Sequence, residues 1–104
     1  MFVAETDQKA WELFAPGLRH EYGHVYRNLY PNYPDDDSVD GLRKWGENTM
    51  VIGSVSTVVA ELRRYRTTLG ATECLVRFQL PLVPRTAVRE CLDGLREVID
   101  RLPQ

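Results

Sequence analysis

His20-Glu21-Tyr22-Gly23-His24 matches the pattern H-E-x-x-H. On a helix, that spacing sets two imidazoles on one face, where they can hold zinc with the glutamate as a base. A zinc-dependent hydrolase built on His20 and His24 is therefore one reading. Two features oppose it. The histidines lie roughly opposite the apolar face of Leu18, Tyr22, Val25 and Leu29, which places them in solvent. Gly23 also weakens the helix that must carry the ligands.

A second candidate is Gly53-Ser54, between an apolar run and a helical one. Phosphates bind at helix N-termini, where free amides point outward. Ser54 serves equally well as a plain N-cap. A third is Asp36, Ser38, Asp40, Gly41 and Glu47, which fall at ligand positions of a calcium loop. Arg43 and Lys44 put positive charge inside that loop, and no second loop accompanies it. A solvated acidic turn is the better reading. Cys74 and Cys91 form no CxxC pair and read as reduced, buried thiols. Trp11, Trp45 and the tyrosines read as packing.

The elements that must position these groups follow from periodicity. Phe2-Val3-Ala4 reads as the end of a strand. Thr6 caps a helix, and Trp11, Phe14, Leu18, Tyr22, Val25 and Leu29 recur at helical spacing on one face. Pro16 is expected to open a second helix directly after the first, giving an N-terminal helical hairpin. Residues 31–41 carry proline, aspartate and glycine and form a loop. Met50-Val51-Ile52 is a buried strand. Ser54 caps a helix with Val58, Leu62, Tyr65 and Leu69 on its inner face, stopped by Gly70. Cys74 to Leu80 is a further strand, with Cys74, Val76, Phe78 and Leu80 in one row and Leu75, Arg77 and Gln79 in the other. The last helix turns Val88, Cys91, Leu92, Leu95, Ile99 and Leu102 inward.

The fold class is thus α/β: a helical segment over 1–48 with its acidic loop, then β-α-β-α over 49–104 with parallel strands. With 104 residues there is one domain at most. Two or three parallel strands leave open edges and a bare face, so the whole is expected to be a partial domain. A net charge of -2 argues against a nucleic-acid partner. No apolar run approaches the roughly 18 residues of a membrane span. The N-terminus lacks signal-peptide character, so the expected location is cytoplasmic.

The run VIGSVSTVVAELRRYRTTLGATECLVRFQLPLVP resembles the end of luciferase-like, flavin-dependent monooxygenases. The upstream LRHEYGHVYRNLYP and the closing VRECLDGLREVIDRL also fit that family's ending. Val55 and Ser56 depart from a proline and an acid usual in the family, and Leu80 and Leu82 from an aromatic and a glycine beside Pro81. The resemblance implies the C-terminal fragment of a (β/α)8 TIM-type barrel, whose whole needs roughly 200 residues. It implies an oxidoreductase using FMN or a deazaflavin once the barrel is complete, and no cofactor in the isolated chain. In such a barrel Gly53, Ser54, Arg77 and Gln79 would face cofactor or substrate at the mouth, although Arg77 also reads as an ion-pair partner for a neighbouring strand. The implied partner is the missing barrel half. A homo-oligomer through open strand edges, as a non-catalytic module, is the remaining alternative.

Overall fold

Phe2–Val3 (β1) pairs in parallel with Ile52–Gly53 (β2), Phe2 opposite Ile52 and Val3 opposite Gly53. The Phe2 amide donates to the Val51 carbonyl (2.9 Å) and the Ala4 amide to that of Gly53 (3.1 Å). Both strands are buried, and Phe2 stacks on Phe14 with ring centroids 4.8 Å apart. Burial on both faces suits such uninterrupted apolar runs. The structure is a computed structural model describing residues 1–102. Around this two-stranded parallel sheet the α/β domain is mostly helical.

The helix α1, Asp7–Leu18, starts where the Thr6 side chain accepts from the Lys9 amide. It buries Ala10, Trp11, Phe14, Ala15 and Leu18 against β2 and α2 (Val39–Gly46). Pro16 does not open a second helix. It lies inside α1, which passes without a turn into a π-helical segment, Arg19–Val25. The missing proline amide removes only one helical bond. Gly17 beside it presses on the chain at Leu80 and Pro81, so closely that a Cβ there would lie 2.7 Å from the Leu80 Cβ. The expected hairpin is therefore one helix with a change of winding.

That change moves side chains. The Tyr26 amide donates to the Glu21 carbonyl (2.9 Å), five residues back. Wider winding shifts the buried face relative to a 3.6-residue period. Val25 and Leu29 were expected inside and are 56% and 71% exposed, while Glu21 is 6% exposed. A short 3-10 turn, Arg27–Leu29, leads into the loop. Ser38 then caps α2, accepting from the Gly41 amide (3.2 Å), and Asp36 Oδ1 accepts from the Ser38 amide (3.1 Å). The acidic turn spends these oxygens on starting a helix.

The third helix, α3 (Val55–Leu69), begins at Ser54 and ends at Gly70, whose φ of 65° is the left-handed stop that its position predicts. The last helix, α4 (Arg85–Arg101), packs on α3 and β1. It buries Ala87, Cys91 and Val98, whereas Leu92 and Ile99, expected on that face, stay exposed. The stripe of small residues wins because α4 lies tight on β1: a Cβ on Gly94 would come within 2.6 Å of Val3 Cγ1.

Cys74–Leu80 forms no strand, and the sheet ends at β2. The expected alternation nevertheless persists. Val76 and Phe78 are half-buried and Leu80 is buried, while Leu75, Arg77 and Gln79 are exposed. Cys74, expected in the buried row, is exposed. A strand needs a partner edge, and the outer edge of β1 is taken. The Val3 amide donates to Cys91 Sγ (3.3 Å). Among the described residues, the one backbone link from the sheet region to this segment is Met1 N to the Arg77 carbonyl (2.8 Å). The segment ends in a turn at Leu80–Val83, with Leu82 at a φ of 69° where glycine is favoured. No described helix is long and apolar enough to cross a membrane.

Candidate functional site

Residues 71–77, outside the sheet, line one side of a hollow of about 890 Å³. Its floor includes Phe14, Leu18, Met50 and Val51, the α3 wall offers Leu62 and Tyr65, and residues 71–77 form the far side. Met1 precedes β1, and Met50 and Val51 precede β2, so the hollow lies at the N-terminal ends of the strands. Its lining is largely hydrophobic, with Arg66, Glu73 and Arg77 bringing charge. Such a space suits apolar matter oriented by a few polar groups.

Arg77 is held at this margin by Glu21. Its Nη2 donates to Glu21 Oε1 (2.5 Å), with Arg77 65% and Glu21 9% exposed at the side chain. The hydrogen bond to Glu21 holds the Arg77 guanidinium above its ordinary value. The second carboxylate oxygen, Oε2, is buried without a hydrogen-bond partner. The π winding places Glu21 inside, and Gly23 lets Tyr33 close on the same segment: a Cβ there would lie 2.9 Å from Tyr33 Oη. Tyr33 in turn donates to Asp37 (3.0 Å), and burial first, then this bond, push its phenol up to about 12. Burial likewise raises the phenol of Tyr22, on the hollow wall.

The glutamate of the HEYGH run is thus committed to Arg77 and cannot serve as a base between the histidines. His20 is half-buried and His24 exposed. Among the described residues, no group of three His, Cys, Asp or Glu side chains gathers for a metal.

At Gly53-Ser54 the helix N-terminus carries an internal anion. The Ser54 amide donates to Asp7 Oδ1 (2.7 Å), and Ser54 Oγ accepts from the Thr57 amide (3.3 Å). A Cβ on Gly53 would sit 2.5 Å from Asp7 Oδ1, so glycine is what lets the carboxylate in. Burial pushes the Asp7 carboxyl up, but hydrogen bonds from the Ser54 amide and the Thr57 and Ser54 hydroxyls outweigh it, and the group ionises below its ordinary value. A flavin phosphate does not fit here as the residues stand, because the Asp7 carboxylate holds the amide and would repel a second anion.

The four mouth candidates are therefore not brought together. Gly53 and Ser54 sit at the C-terminal end of β2, closed by Asp7, while Arg77 pairs with Glu21 beside the hollow and Gln79 is exposed. Sequence reasoning missed Asp7, Glu21 and Cys91 as organising groups. Asp7 carried a signal, an acid in the first turn after Thr6; the other two depend on winding and on a distant strand. No protein-family model, curated protein or solved structure matches the chain.

Proposed function

We propose that this chain is the closing portion of a luciferase-like, flavin-dependent oxidoreductase barrel, inert toward flavin until the rest of the barrel is supplied. Residues 71–80 carry the reading. Of these, 75–80 keep the in-and-out alternation of a strand, and the whole segment follows β2 and α3 along the chain and pairs with no strand beside the hollow. The run from Val51 to Pro84 adds the family pattern. Leu82 adds a detail: it replaces a family glycine and takes a glycine-type φ.

In this reading the chain contributes strands and covering helices, while the flavin is held by residues outside it. The Asp7 plug at Gly53-Ser54 fits that division, because the α3 N-terminus is already taken by a carboxylate of the chain itself. The zinc reading gains nothing from the geometry, since Glu21 is bound to Arg77.

Complementation tests the proposal. A luciferase-like monooxygenase truncated to lack its last quarter is mixed with this chain, and flavin uptake is followed by fluorescence quenching. The expected result is uptake by the mixture and by neither part alone. Stoichiometric flavin in the lone chain, or no association between the parts, overturns it.

A further inference from the structure

We infer that, in the isolated chain, the free edge of residues 72–78 is covered by the same edge of a second copy, antiparallel, with Leu75 on the two-fold axis. The inference rests on that edge and not on the family reading, so either can fail without the other.

Among the described residues, no amide from Ala71 to Leu80 donates to a backbone carbonyl. Two carbonyls in the segment accept, those of Arg77 and Leu80. No proline lies between Ala71 and Leu80, so every residue there can donate. Unpaired amides on an exposed edge are a template for another chain. Of the sheet's own two outer edges, that of β1 is engaged at Val3 by the Cys91 thiol, and on that of β2 the Met50 and Ser54 amides flanking Ile52 already donate to Gly46 and Asp7.

The contact at Arg77 fixes which edge is free. In the extended form that pairing would impose on the segment, the amide and carbonyl of alternate residues point to opposite sides. The Arg77 carbonyl faces Met1, so the groups of Leu75 and Gln79 share that inner side. Those of Thr72, Cys74, Val76 and Phe78 face away.

Charge then selects register and partner. Pairing about Arg77 would oppose two guanidinium groups across the axis. Pairing about Leu75 sets Glu73 opposite Arg77 of the second copy, twice by symmetry. It also sets the two Leu75 side chains together, and Leu75 is fully exposed in the single chain. Cys74 meets Val76, and Thr72 meets Phe78, as the hydrogen-bonded pairs. Leu75 meets Leu75 as a non-hydrogen-bonded pair, in which side chains approach most closely. Arg77 keeps Glu21, because a guanidinium has donors for two carboxylates. A C2 contact of this kind is self-complementary and closes on itself.

The test uses the full chain. In a Cys74→Ser background, Leu75→Cys places thiols on the axis at a spacing a disulfide can span. Gln79→Cys in the same background places them off it. Mild oxidation is expected to link the first variant into dimers and leave the second monomeric. Sedimentation of the wild type should show a concentration-dependent dimer, weakened about tenfold or more by Glu73→Arg, which sets like charges opposite each other. Circular dichroism checks that this exposed substitution leaves the fold intact. Equal cross-linking at both positions, a wild type that stays monomeric at high concentration, or dimerisation indifferent to Glu73→Arg would overturn the inference.

Discussion

Gly53→Ala probes the Asp7 plug most sharply. The new Cβ would lie 2.5 Å from Asp7 Oδ1 and 2.9 Å from Thr57 Cγ2, so the carboxylate must leave the Ser54 amide. The bond lost is charge-assisted, worth about 1.5–3 kcal/mol. Asp7→Ala removes the same bond without crowding and should cost a similar amount. In a domain of this size that lowers the melting temperature by roughly 10 °C. Because both substitutions break one bond, the double variant should cost little more than the worse single one, with a coupling close to the smaller single cost, about 1.5–3 kcal/mol. Urea unfolding of the four proteins measures it. The pH dependence gives a second readout. The Asp7 carboxyl ionises below its ordinary value of 3.8 when folded. Its contribution is therefore fully present above that value and is lost as pH falls through the folded one. Asp7→Ala should flatten that acid limb. Additive single costs, within about 0.5 kcal/mol, would refute the plug.

Other outcomes follow from the same geometry. Arg77→Ala leaves the Glu21 carboxylate buried and alone and should cost about 1–3 kcal/mol; adding Glu21→Met should recover part of it, as chemical unfolding will show. A thiol reagent should modify Cys74 in the native protein and Cys91 only after unfolding, because Cys91 is buried and its burial pushes the thiol up. Cys91→Ala removes the acceptor for the Val3 amide and should lower stability by about 1–3 kcal/mol; Cys91→Ser, which restores an acceptor, should be milder by calorimetry.

What the sequence discloses depends on how local the cause is. The two ends of helix α3 were readable, because Ser54 and Gly70 act on their own backbone neighbours, whereas Leu69, expected on its inner face, is exposed. The acidic turn before α2 was readable as a turn but not as a helix start, since residues 39–41, expected in the loop, open α2 behind the Ser38 cap. The helix through Pro16 was not, and Gly17 beside it packs on Leu80 and Pro81, far along the chain, a contact no local pattern reveals. Nor was Glu21, whose burial follows from a π register that a 3.6-residue count cannot produce. Residues 74–80 show the limit most clearly. Their alternation is local and survives from Leu75 on, but strand pairing belongs to two edges, and one sequence segment carries only one of them.

Amide hydrogen exchange at Cys74, Val76 and Phe78 tests the central claim, that this segment is a strand awaiting its partner. In dilute solution of the chain alone these amides should exchange freely, and they should become protected when the truncated barrel is supplied. Protection in the dilute lone chain, or free exchange in a flavin-binding complex, would contradict it.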